Sequence, residues 1–213
     1  MKKFGYLLLI ISLVSTINAQ KFEKFTPQEK DLIQTNSSEM MRVLNLKNAE
    51  DIAVLKNKST EINPNNKLTK LLAKRMLLSV NDPDNKGVGI AAPQVGINRR
   101  MIVVKRFDKT DNPFEVFVNP TITWQSKLLQ KGLEGDLSFD SNGLVMRNYA
   151  IQIEYQDLNG NSKTESMEGF TAVIFQHERD HLDGILLTDR LKEQENIAYD
   201  SAGKSSLLYF HSN

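Results

Sequence analysis

At 213 residues, with 40% hydrophobic and 25% charged residues, the chain is long enough to bury a core and has an ordinary globular composition. A formal net charge of +1 excludes a nucleic-acid binder working through bulk positive charge. There is no cysteine, which excludes disulfides and thiolate ligands.

The N-terminus opens with Lys2 and Lys3, an apolar run from Tyr6 to Val14 and a small-residue stretch ending at Ala19. This pattern predicts a secretory signal peptide over residues 1–19, cleaved after Ala19, with an uncleaved anchor or a short buried segment as the alternative. The run falls short of the about 20 apolar residues that span a bilayer, so no integral membrane segment is expected after cleavage. The expected location is outside the cytoplasm, periplasmic or secreted.

Residues 20–66 are expected to form an N-terminal helical segment, residues 67–200 a single domain and residues 201–213 a tail. Thr26-Pro27-Gln28-Glu29 reads as a capping box and predicts a helix to about residue 41. Leu68, Leu71, Leu72, Met76 and Leu77 share one face, predicting a helix over residues 68–80 that Asn81-Asp82-Pro83 ends. The period then shortens. Strands are predicted over residues 101–107, 115–119, 121–129 and 150–157, and Asn159-Gly160 predicts a hairpin returning over 163–167. A helix is expected over residues 169–182, and a short one over 189–196. The fold class is therefore α+β, with antiparallel strands packed around a central metal-binding helix.

That helix carries the chemistry. Phe175-Gln176-His177-Glu178-Arg179-Asp180-His181 contains the H-E-x-x-H pattern, and residues four apart share a helix face. His177 and His181 can therefore bind one cation, with Glu178 beside them as general base. Phe170, Val173, Ile174, His177, His181 and Gly184 fall on one broad side, expected to be buried. The pattern serves several metallohydrolase classes. Leu187 stands where a metzincin needs a further histidine, which excludes that class, while Glu193 and Glu195 are candidates for a thermolysin-like third ligand.

Two further segments stand in order along the chain: Gly87-Val88-Gly89-Ile90-Ala91-Ala92-Pro93-Gln94 and Glu134-Gly135-Asp136-Leu137-Ser138. The first lacks the Lys-Ser/Thr of a nucleotide loop. With the histidine helix, the three segments resemble the peptide deformylase family over residues 68–191. That family carries Gly-x-Gly-x-Ala-Ala-x-Gln, Glu-Gly-Cys-Leu-Ser and Gln-His-Glu-x-Asp-His-Leu.

The resemblance implies an enzyme: a metal-dependent hydrolase that removes the formyl group from N-formylmethionyl peptides, or acts on another N-acyl amide. It implies one divalent ion, Zn²⁺ or Fe²⁺, held by His177, His181 and Asp136, the last standing where the family has cysteine. It implies that the Gln94 side chain and the Leu137 N–H stabilise the oxyanion. Gly89 corresponds to a backbone contact with substrate, and Val88, Val173 and Ile174 to the wall of a pocket for a methionine-like side chain. Arg147 and Asp180 match a structural ion pair. Residues 139–143 lack the family's proline and basic residue. The alternatives are a catalytically impaired relative that binds metal or formyl-peptides, and an exported peptidase using the same helix. No nucleic-acid partner and a monomer are expected.

Overall fold

The computed structural model describes residues 22–204 and 206–212, so the expected signal peptide lies outside the described residues. The elements run α1 (Pro27–Gln34), α2 (Ala49–Leu55), α3 (Lys67–Val80), β1 (Gly89–Ala91), a 3-10 turn (Ala92–Val95), β2 (Met101–Lys105), β3 (Phe114–Gln125), β4 (Leu129–Asp136), β5 (Phe139–Asn148), β6 (Ala150–Gln156), β7 (Ser162–Glu168), α4 (Gly169–Leu182), α5 (Leu187–Gln194), β8 (Tyr199–Ser201) and β9 (Leu208–His211). The mixture is the expected α+β.

One antiparallel sheet has the order β1-β2-β3-β6-β7, the other β5-β4-β9-β8. Strand β2 explains the layering. Met101 and Val103 join Leu72, Met76 and Val80 of α3 in one core, while Ile102 and Val104 join Ala172, Ile174 and Phe175 of α4 in another. Successive side chains alternate faces, so the unbroken apolar run from Met101 to Val104 marks a strand with a helix on each side. Helix α4 is thereby buried along most of its length.

Helix α1 has the expected capping box: the Glu29 N–H donates to Thr26 Oγ1 at 3.1 Å and the Thr26 N–H to Glu29 Oε2 at 2.7 Å. It ends at Gln34, not at residue 41. Asn36 takes a left-handed φ of 51°, and the buried Arg75 guanidinium collects the carbonyls of Leu32, Ile33, Glu39 and Met40. A side chain from α3 satisfies the terminal acceptors that another helical turn would have used.

The hairpin at Asn159-Gly160 forms as expected, with Gly160 at φ 81° and β6 paired to β7 throughout. The two strands expected over residues 115–119 and 121–129 are one, β3, interrupted by a register shift between Val118 and Thr121 where Asn119 is left-handed.

The pair β4 and β5 was not among the strands expected from the sequence. In this pair the usual alternation is inverted. Leu133 and Leu144 face each other across the strands and are 63% and 56% exposed, whereas Glu134 and Arg147 point inward and are each 6% exposed. The residues expected to form a tail include β9, which pairs with β4 at Leu129 and Gln130. No helix among the described residues is long and apolar enough to cross a membrane.

Candidate metal centre

Three side chains, two of them from α4, come together at one point. The first histidine of α4, His177, has its Nδ1 fixed: the ring N–H donates to Glu134 Oε2 at 2.9 Å. Its Nε2 is therefore turned toward the site. The second histidine, His181, lies one turn on, 1% exposed, with both ring nitrogens lacking hydrogen-bond partners among the described residues. The β4–β5 hairpin supplies the third group, since its loop is only Leu137-Ser138 and Asp136 pairs with Phe139 across it. Asp136 Oδ2 stands 3.3 Å from His181 Nε2 and 3.8 Å from His177 Nε2.

These residues fit a divalent cation. Ligand atoms of Asp136, His177 and His181 all lie within 4.8 Å of one another. Bonds of about 2.0–2.2 Å in tetrahedral array put ligand atoms about 3.3 Å apart, close to the separations seen. Asp136 Oδ2 and His181 Nε2 are buried polar atoms without hydrogen-bond partners among the described residues. Such groups need a partner, and one cation serves both. The Glu134 carboxylate on the far side of His177 is the orienting group that histidine ligands use.

The electrostatics agree. Burial raises the Glu134 carboxyl pKa, but the Arg147 fork and His177 outweigh it and bring it to about 2. Burial likewise opposes ionisation of Asp136, yet His181, His177 and the Ser138 N–H hold it below the ordinary carboxylate range. At His177 burial favours the neutral ring, but the Glu134 bond and the nearby Glu178 and Asp136 carboxylates raise its pKa to about 9. A cation would compete with that proton. Burial dominates at Glu178 and lifts it to about 7, the range useful to a general base near neutrality. Its Oε2 has no hydrogen-bond partner among the described residues.

A cavity of about 310 Å³ opens onto this cluster, with Val88, Gly89, Leu137, Val173 and Ile174 in its wall. Val88 is 37% exposed at the rim, while Val173 and Ile174 are buried deeper. Gly89 presses against Glu178: a Cβ there would stand 2.4 Å from Glu178 Oε1. Phe170, expected on the buried face, is 52% exposed at the mouth and packs on Phe107 at a centroid distance of 5.1 Å. It is the second residue of α4, just before the helix becomes buried at Thr171.

Gln94 lines the cavity, and its amide is held between Asp136 and the Ala91 backbone. Its Nε2 donates to Asp136 Oδ1 at 3.0 Å and its Oε1 accepts the Ala91 N–H at 2.8 Å. The Arg147–Asp180 pair forms, at 2.5 Å, and is part of a larger network. Arg147 also grips both Glu134 oxygens, and Arg190 of α5 grips both Asp180 oxygens. The role of Arg190 and the orienting role of Glu134 were missed in the sequence. Glu134 had a signal, as the first residue of its motif; Arg190 had none.

Fold and site together define a class: an α+β protein whose central helix offers two histidines and a glutamate to a carboxylate from a facing hairpin. The polypeptide deformylase family model matches residues 40–196, and the chain belongs to that family. It is 37% identical over 139 residues to a peptide deformylase of Thermus thermophilus, covering 59% of this chain and 72% of that one. It is 40% identical over 147 residues to peptide deformylase 2 of Gloeobacter violaceus, covering 68% and 78%. Among solved structures, the Met-Ala-Ser-bound class I type b peptide deformylase of Acinetobacter baumannii superposes with a TM-score of 0.63 at 33% identity, over 71% of this chain and 99% of that one.

Proposed function

We propose that this protein is a metal-dependent hydrolase that removes the formyl group from N-formylmethionyl peptides. The observation that carries this reading is the convergence of Asp136 Oδ2, His177 Nε2 and His181 Nε2 beside a buried Glu178 in a peptide-sized cavity. Family membership and a relative solved with Met-Ala-Ser bound support it.

Two histidines and a carboxylate suit Zn²⁺ or Fe²⁺. When bound, such a cation supplies Lewis acidity, polarising the scissile carbonyl and acidifying water. The chain's own residues do the rest. Val88, Val173 and Ile174 hold the methionine side chain, and the Gly89 backbone pairs with the extended peptide. Glu178 takes a proton from the attacking water as its oxygen bonds to the formyl carbon. The Leu137 N–H faces the oxygen that gains charge. The carbon–nitrogen bond then breaks, Glu178 passes its proton to the leaving amine, and formate departs.

The chain works as an exported monomer in this reading, a location supported by the basic, apolar and small-residue pattern of residues 1–19. An exported enzyme meets formyl-peptides already released from synthesis. The test combines metal analysis of the mature chain, formate release from a formyl-Met peptide, and the variant Glu178→Ala. Expected are one bound divalent ion per chain in both proteins, with turnover in the natural chain and none in the variant. Unchanged hydrolysis by Glu178→Ala would sink the mechanism; bound metal with no formate release from the natural chain would sink the activity.

A further inference from the structure

A carboxylate ligand has a second oxygen, which a thiolate lacks, and this fold holds it fast. Asp136 Oδ1 accepts the Ser138 N–H at 2.8 Å and the Gln94 Nε2–H at 3.0 Å. Oδ2 alone is left facing the two histidines. The orientation of the Gln94 amide is fixed from its other end. Its Oε1 accepts the Ala91 N–H at 2.8 Å, so Nε2 is the atom that must face the carboxylate. The other Gln94 N–H has Ser138 Oγ as a partner at 3.4 Å. Gln94 is 1% exposed and Ser138 is fully buried.

Both donors are anchored by the chain before α2. The Leu44 N–H donates to the Gln94 carbonyl at 2.8 Å, and the Leu46 N–H to the Ser138 carbonyl at 3.0 Å. One short stretch of backbone thus ties the 3-10 turn carrying Gln94 to the hairpin carrying Asp136.

We propose that Gln94, together with the Ser138 N–H, is a positioning device that restricts Asp136 to one ligand oxygen, Oδ2. An unrestrained carboxylate can chelate a cation with both oxygens, as carboxylates do around calcium. Chelation would fill the position that a catalytic site keeps open. Two donors on Oδ1 prevent this and set the direction of Oδ2. In this role Gln94 acts on the cation through Asp136, as a positioning residue. The inference rests on the reading of this cluster as a cation site and deepens it.

The test is a double-mutant cycle read by zinc affinity, using chelator competition on the natural chain, Q94M, D136C and Q94M/D136C. Q94M keeps the volume and removes the amide. It should weaken zinc binding roughly ten- to hundred-fold beside the aspartate, as loss of a ligand's orienting partner does, and far less in the D136C background. Equal losses in both backgrounds, or none beside the aspartate, overturn the proposal. A second measurement covers a Q94M variant that does not fold: a crystal structure of the zinc-loaded natural chain. One Asp136 oxygen on zinc, with the Gln94 amide on the other, is expected. Both oxygens on zinc, or the amide turned to solvent, overturns it. A natural chain that binds no zinc or iron overturns this inference and the proposed function together. Formate release with two-oxygen binding overturns this inference alone.

Discussion

The ring of His177 is bonded through Nδ1 to Glu134 Oε2 at 2.9 Å, which leaves Nε2 as the only ring nitrogen free to face Asp136 and His181. The carboxylate fixes both the tautomer and the angle of the ring. Glu134→Gln keeps the shape and removes the charge, and its amide can present nitrogen instead of oxygen to the ring. The expected result is a roughly tenfold or greater loss of zinc affinity with little change in fold. Chelator competition measures it; unchanged affinity would show that the Glu134 contact is incidental.

Gly89 and Glu178 are in closer contact than any side chain allows. A Cβ at position 89 would stand 2.4 Å from Glu178 Oε1, 2.8 Å from its Cγ and 2.8 Å from Ile174 Cγ2. Gly89→Ala must therefore push the base aside. Small misplacements of a catalytic group carry large rate penalties, so kcat should fall by about tenfold to hundredfold while bound metal stays constant. Steady-state kinetics with metal analysis decide this, and an unchanged kcat would mean that Glu178 moves without consequence.

Arg147 ties the metal hairpin to the helices behind it through Glu134 on one side and Asp180 on the other, and all three side chains are buried. Arg147→Met would strand two carboxylates away from water. The loss of stability should be about 3–5 kcal/mol, typical of a broken buried pair. Urea unfolding of the metal-free chain gives the number. A loss below about 1 kcal/mol would mean that Arg190 and His177 suffice to hold the two carboxylates.

Away from the histidine cluster, Arg106 is 2% exposed and bonded to Asp108, Glu115 and Glu165. The Arg106 hydrogen bonds bring the Asp108 pKa down to about 2. Its folded-state pKa lies below the unfolded value of about 3.9, so the contribution is complete above that value and disappears as pH falls toward 2. Asp108→Asn should be less stable than the natural chain at pH 6, by roughly 0.5–1 kcal/mol once solvent screening of this exposed carboxylate is allowed for, with the gap closing between about pH 4 and pH 2. Unfolding curves across this range test the sign. A gap that widens on acidification contradicts it.

Hydrophobic alternation misleads at the β4–β5 pair. Strands β4 and β5 carry leucines on their outer face and Glu134 and Arg147 on their inner face, so hydrophobic alternation pointed the wrong way. Charges turn inward here because α4 presents His177 and Asp180 to them. Strand β9 pairs with its chain neighbour β8 and also with β4, more than 70 residues earlier, and that long-range half of the pairing leaves no local pattern.

The sequence by itself determined helix α4 and the shared face of His177 and His181 with Glu178 beside them, because an α-helix relates residues four apart by local geometry that no distant contact is needed to set. It also determined the capping box, the Asn159-Gly160 hairpin and, through three motifs in order, the family. Only the tertiary structure decided that Asp136 delivers a single oxygen to the histidines, that Gln94 turns its amide to Asp136, and that Glu134 rather than solvent orients His177. Those contacts join residues about 40 or more positions apart. Their geometry depends on how the two sheets close around α4, which no local pattern encodes.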